Sequence, residues 1–215
     1  MNHRLNSHLF WGSHSPLSSL SGLGLIILAS SRLSFALICT GALIWVYGFT
    51  ALVFTGARKI IPEKGRMIIL LFLSSFLCGI FMLLVSMINP LLIMGTAFFL
   101  ILIPPCCLGS GFFQAINSNS IDLFETVSRA LLEASFLAGI IVAFSLIREP
   151  LGIGALSIPG SAQGIIELFY SDRADGFITI RILSTSTGAF LVLGYIIAIY
   201  RFIRKTKGGV SEDRQ

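Results

Sequence analysis

The sequence is poor in charged residues. Only 12% of its 215 residues are Asp, Glu, Lys or Arg, whereas 55% are hydrophobic. Soluble domains carry roughly a quarter charged residues, so this chain lacks the polar groups that would cover a water-exposed surface. The composition therefore predicts an integral membrane protein. The net charge of +5 comes from basic residues at the ends of apolar runs, so we expect no nucleic-acid partner.

The sequence also lacks the motifs of several enzyme classes. It contains no P-loop, nucleophile elbow, G-x-G-x-x-G fingerprint or paired carboxylates, so we expect no catalytic residue in the isolated chain. Four cysteines suggest no extracellular disulfide framework, and Cys39 and Cys78 each stand alone in an apolar run, where they are expected to pack as small hydrophobes. The histidines, His3, His8 and His14, have no metal-ligand spacing.

Charged residues divide the apolar sequence into six predicted membrane segments. The first is shorter than the roughly 20 residues that a straight spanning helix needs, and the fourth is interrupted by prolines. Because these two segments hold matching places, we expect a 3+3 inverted repeat whose two breaks meet at the bilayer midplane. The segments are Leu17–Ala29, the run between Arg32 and Arg58, Met67–Ile88, Leu91–Cys107, about Val127–Ile147, and Ile182–Tyr200.

The predicted fold is thus a single all-α membrane domain over residues 1–215. Repeat one covers about 1–89, repeat two about 90–207, and a basic tail covers 201–215. The loop 58–66 and this tail are rich in Lys and Arg, which predicts that both termini are cytoplasmic in a multi-pass protein of the inner (plasma) membrane. The outer connection then includes the apolar patch Ile165–Tyr170, interpreted as a short interfacial helix or a buried loop.

The break in the fourth segment has the sequence PPCCLGSGFFQ, residues 104–114. Prolines remove backbone donors and glycines permit unusual backbone conformations, so a half-helix is expected to run to about Cys107 and turn at Gly109 and Gly111. A proline kink in an ordinary spanning helix is the alternative. A thiol at such a break can pack, be oxidised or bind a metal as thiolate.

Two stretches of the second half carry a family resemblance. CCLGSGFFQAINS and, one helix later, IREPLGIG resemble motifs of the small integral membrane subunits of Rnf and Nqr electron-transport complexes, closest to the RnfE/NqrD type. The six-segment layout with two broken helices fits the same family. The matching positions are Cys107, Gly111, Gln114, Ala115, Ser118, Arg148, Glu149, Leu151, Gly152 and Gly154.

The resemblance implies a partner and a cofactor. Such subunits pair with a homologous subunit of opposite topology, and the two together bind a [2Fe–2S] cluster near the midplane through one cysteine from each broken helix. Cys107 is then the metal ligand, with Cys106 as a substitute, and Gly109, Gly111 and Gln114 line the cofactor site. The chain departs from the family where Gly24 stands in place of the first-segment cysteine and Gln114 in place of a glutamate.

Three further charged residues are candidates. Glu133 lies inside the fifth segment, where it would take part in ion movement or pair with Arg129 on the same face. Arg148 and Glu149 lie at the outer end of that segment, as a functional site or as an interfacial pair that anchors the following loop. Pro150 is expected to stop the helix there.

The sequence therefore favours a membrane subunit of an ion-translocating Rnf/Nqr-type oxidoreductase, non-catalytic alone, that contributes to transmembrane electron transfer coupled to cation transport. Two alternatives remain at this point. One is a small inverted-repeat transporter or substrate-binding component, because broken helices also suit a solute site. The other is a cluster-less assembly subunit.

Overall fold

The structure, a computed structural model, describes residues 20–57, 61–62, 65–109, 123–160, 165–170 and 181–209. These residues form helices and one two-stranded sheet. The helices are α1 (Leu20–Ala29), α2 (Leu33–Ala57), α3 (Arg66–Ile88), α4 (Pro90–Leu100), α5 (Ile103–Gly109), α6 (Leu123–Ile153), α7 (Arg181–Ser184) and α8 (Ser186–Gly209), and the strands are β1 (Ala155–Pro159) and β2 (Ile165–Tyr170).

The long apolar helices confirm the prediction of a helical membrane protein. Within the described residues, four helical stretches are long and apolar enough to cross a membrane, and a shorter apolar helix covers Ser186–Ile196. The four stretches correspond to the second, third, fourth and fifth predicted segments. They are Leu33–Ala57, Arg66–Ile88, Pro90–Gly109 and Phe124–Ile153.

Helix α2 lies at the centre of the molecule and packs most extensively against α6. It also contacts α3, α4, α5 and strand β1. Its large side chains Tyr47 and Phe54 are fully buried, whereas α3 turns a row of apolar side chains outward, including Phe72 and Met87. Apolar side chains on an outer helix face are what a lipid environment requires.

The fourth segment is broken, but not where the sequence predicted. Helix α4 ends at Leu100 and α5 begins at Ile103, so the break precedes the prolines. Pro104 and Pro105 lie in the first turn of α5, where a missing N–H removes no helical hydrogen bond. The break expected at Pro104 and Pro105 therefore lies at residues 101–102 instead. Helix α5 ends at Gly109, and the turn expected at Gly111 lies outside the described residues.

Pro150 does not stop the fifth segment, contrary to the prediction. Helix α6 continues for another turn to Ile153, with Pro150 inside it. The helix ends at Gly154, whose φ of 73° lies in the left-handed region, and the Gly154 N–H donates to the carbonyl of Pro150 at 3.0 Å. A glycine in this conformation is a common helix terminator because it lacks a Cβ.

The patch Ile165–Tyr170 is a β-strand, so the predicted interfacial helix is wrong and the fold is not purely helical. Strand β2 pairs antiparallel with β1, with a bulge between Leu156 and Ser157. Pairing satisfies the backbone groups of both strands, whereas a six-residue helix is marginal by itself. The sixth segment also differs from the expected single helix, because α7 and α8 are separated at Thr185.

Candidate functional site

The broken fourth segment buries its two adjacent cysteines. Cys106 and Cys107 are both 0% exposed and belong to an apolar core that also contains Cys39 and Cys78. This core lies where α5 meets α1, α2 and α3. The prediction that Cys39 and Cys78 pack among hydrophobic side chains is confirmed.

The thiol of Cys78 has an additional role at the break. Its Sγ donates to the carbonyl oxygen of Leu100 at 3.3 Å. Leu100 is the last residue of α4, so this carbonyl belongs to the helix end whose backbone acceptors the helix cannot satisfy. Cys78 therefore helps to stabilise the interruption in an apolar environment.

Helix α1 packs directly against the break. A Cβ atom added to Gly24 would lie 3.2 Å from Cδ2 of Leu102, one of the two residues between α4 and α5. The short first segment and the interrupted fourth segment therefore meet inside the protein. Gly24 permits this close approach because it has no side chain.

The described residues of one chain do not form a metal site by themselves. Over 20–57, 65–109, 123–160 and the other described ranges, no three His, Cys, Asp or Glu side chains are grouped so as to hold a metal ion. Gly109 ends α5 beside the buried cysteines. The predicted cofactor contacts Gly111 and Gln114, and the matching Ala115 and Ser118, lie outside the described residues.

Arg148 and Glu149, predicted as a loop anchor or a site, are both 2% exposed. The guanidinium of Arg148 donates from Nη1 to the Ile27 carbonyl at 2.8 Å and to the Ser30 hydroxyl at 3.0 Å. It also donates from Nε to the Leu183 carbonyl at 2.8 Å and from Nη2 to the Thr185 carbonyl at 3.0 Å.

The carboxylate of Glu149 accepts, at Oε2, a hydrogen bond of 2.8 Å from the N–H of Leu33. Leu33 is the first residue of α2. The two charged side chains thus bind the ends of other helices, which is a different role from anchoring the loop that follows them. Sequence reasoning missed their partners Ser30, Leu33 and Thr185, because no local pattern links residues so far apart in the chain.

Glu133 is half-buried on α6, about 22 Å from Arg148 along the helix axis. The arginine expected to pair with it, Arg129, donates its guanidinium to Glu125, one turn earlier, and both of these side chains are about half exposed. The structure therefore keeps Glu133 apart from the Arg148 region.

An apolar groove of about 420 Å³ lies between α2, α3 and α6. Its lining includes Gly41, Trp45, Gly48, Phe81 and Leu131. These side chains offer hydrocarbon and aromatic surface, which suits a lipid chain better than a polar solute.

Comparison with known proteins gives one consistent relationship. No protein-family model matches the chain. The chain is similar to the NqrD subunit of the Na(+)-translocating NADH-quinone reductase of Chlamydia trachomatis, in three strains of that organism. Each is 28% identical over 211 residues, and the alignment covers 92% of this chain and 92% of the relative.

Proposed function

Since the chain resembles the NqrD type of membrane subunit along almost its whole length, we propose that it is a membrane subunit of a sodium-translocating NADH–quinone reductase of the Nqr type. The observation that carries this proposal is the similarity over 92% of both chains. Like the subunit it resembles, the chain is expected to function within a complex and not alone.

The packing of the helices supports a 3+3 inverted repeat within this proposal. In a repeat that ends at Asn89, α1, α2 and α3 correspond to α4–α5, α6 and α7–α8. Helix α1 contacts its counterpart α5, α2 contacts its counterpart α6, and the crossed pairs α1–α6 and α2–α5 also touch. Such reciprocal contacts are expected of two halves related by an axis in the membrane plane.

The charge distribution supports an orientation and a partner. The basic loop 58–66 and the basic residues after Tyr200 favour a cytoplasmic location for both termini. The outward-facing apolar side chains of α3 and α4 then face lipid or a homologous subunit of opposite topology. We propose that this subunit and its partner conduct electrons across the membrane near the α1–α5 contact.

The proposed [2Fe–2S] cluster fits the described residues poorly. Gly24 offers no ligand atom, and the side chains of Cys106 and Cys107 are completely buried within one chain. A partner subunit would reach Cys107 only after the surrounding core had opened. A second candidate function is therefore a subunit without a cluster that only positions the electron path. The absence of a ligand atom at Gly24 favours it.

The function is tested in the assembled complex. Removing this chain should abolish sodium uptake coupled to NADH oxidation in membrane vesicles, and restoring it should return the uptake. A complex that pumps sodium normally without the chain would overturn the proposal. Saturable solute uptake by the isolated protein, without redox partners, would favour the transporter alternative.

The role of Cys107 is tested separately by iron analysis of the purified complex. If Cys107 binds a cluster, Cys107→Ser should lower the iron content and change the paramagnetic signal of the reduced complex, whereas Cys39→Ser should change neither. Unchanged iron content in the Cys107→Ser complex would remove the ligand role and favour the cluster-less candidate.

A further inference from the structure

Arg148 joins three separate parts of the fold through one side chain. It lies near the end of α6 and donates to Ile27 and Ser30 at the end of α1, and to Leu183 and Thr185 at the junction of α7 and α8. The carbonyls of Ile27 and Leu183 belong to the carboxyl ends of α1 and α7, where backbone acceptors lack helical partners, whereas the Thr185 carbonyl also accepts from the N–H of Ala189 at the start of α8. Arginine suits this role because its planar group carries five N–H donors, whereas lysine presents a single ammonium.

Glu149 binds the first residue of α2, at the other side of the same turn. Its carboxylate accepts from the N–H of Leu33, which has no helical acceptor because Leu33 opens α2. The signs of both charges fit the helix dipoles, since a cation stabilises the carboxyl end of α1 and an anion stabilises the amino end of α2. Two adjacent residues of α6 therefore fix both sides of the turn between α1 and α2.

This turn controls where α1 lies. Ile27 follows Gly24 by one helical turn, and Gly24 is the residue in contact with Leu102 at the break. The backbone hydrogen bonds of residues 30–32 are local, since the N–H groups of Ser30 and Ser31 donate back into α1 and the Arg32 carbonyl accepts from the first turn of α2. Without Arg148, the end of α1 would keep its contacts with apolar neighbours but lose this polar connection to α6.

We propose that Arg148 and Glu149 are positioning residues that hold α1 against α5, and that they thereby set the geometry of the electron path. The consequence for electron transfer rests on the proposed function. The geometric part does not, because it concerns the distance between α1 and the break.

The geometry is tested with a pair of introduced cysteines, Gly24→Cys and Leu102→Cys, in the full-length protein in its native membrane complex. The close approach of these positions should allow rapid oxidative cross-linking, with the joined peptides identified by mass spectrometry. Adding Arg148→Met should slow cross-linking about tenfold, in line with the loss of charge-assisted hydrogen bonds. An unchanged cross-linking rate in a folded Arg148→Met protein would overturn the proposal.

Matched variants separate positioning from general damage. Arg129→Met removes an exposed ion pair on the same helix and should leave the cross-linking rate unchanged. Glu149→Gln keeps an oxygen acceptor for Leu33 and should cross-link at nearly the parent rate, whereas Glu149→Leu should slow it. Equal rates for these two Glu149 variants would contradict the role of the carboxylate.

Two further measurements keep the inference testable. If Arg148→Met does not accumulate in the membrane, Arg148→Lys is used, and its cross-linking should be slower than that of the parent because lysine cannot reach all four acceptors. Sodium pumping is measured on the same Arg148 variant without the introduced cysteines. Slower cross-linking with normal pumping would retain the geometric inference and refute its proposed consequence for electron transfer.

Discussion

At the scale of single residues, a few polar side chains satisfy the backbone groups that the breaks leave open. Cys78 binds the carbonyl that ends α4, and Arg148 binds carbonyls at two helix ends. Asn89 connects the α3–α4 turn to Gly160, the residue after β1 in the β1–β2 pair, which we call the hairpin. In an apolar environment an unsatisfied backbone group costs several kcal/mol, so each of these side chains replaces a hydrogen bond that water would otherwise supply.

Asn89 gives a prediction at this scale. Its Oδ1 accepts from the N–H of Leu91 and caps α4, and its Nδ2 donates to the carbonyl of Gly160, each at 3.0 Å. Asn89→Ala removes both bonds and should lower the free energy of unfolding by about 2 kcal/mol, measured by chemical unfolding in mixed micelles. Asn89→Ser keeps an oxygen that can cap α4 but loses the donor to Gly160, and should lower the free energy of unfolding by less than Ala does. An Ala variant as stable as the parent would contradict this account of Asn89.

At the scale of secondary-structure elements, two of the apolar segments are each divided into two helices. Helices α4 and α5 separate before the prolines, and α7 and α8 separate at Thr185. At the second interruption, a Cβ on Gly188 would lie 2.0 Å from the carbonyl oxygen of Ile182. Backbone atoms cannot move aside as the end of a side chain can, so this position requires glycine.

Gly188→Ala should therefore destabilise the protein by more than about 2 kcal/mol, because it forces α7 away from α8. Gly194→Ala in the same helix is the control, since nothing lies within 4 Å of the added methyl group. It should leave stability unchanged or raise it by up to about 1 kcal/mol through helix propensity. Thermal unfolding of the two purified variants checks both expectations. Equal melting temperatures would show that the junction tolerates a side chain.

At the scale of the whole molecule, the proposed orientation puts the hairpin outside and the loop 58–66 inside. Ile166 on β2 and Pro62 before α3 are both exposed, so a cysteine at either position is accessible to reagents. In intact cells a membrane-impermeant maleimide should label Ile166→Cys and not Pro62→Cys. The four native cysteines are buried and should give little background. The opposite labelling pattern would reverse the proposed topology.

The sequence predicted the membrane class, the long helices and the interrupted fourth segment, because these depend on apolar length and on proline. It misplaced the end of the fifth segment by relying on Pro150, although Gly154 was the available signal for a helix terminus. The hairpin was missed because Ile165–Tyr170 becomes a strand only through a partner elsewhere in the chain. The contacts of Arg148 depend on tertiary packing and left no local pattern.

The bonds made by Arg148 and Glu149 have a consequence for slow backbone fluctuations. The amide of Leu33 is protected by a side chain from α6, and the carbonyls that terminate α1 and α7 share one guanidinium. Opening any one of these ends disturbs the others. Their amide protons should therefore exchange with solvent deuterium together, as one cooperative unit, at a free energy above that of ordinary fraying.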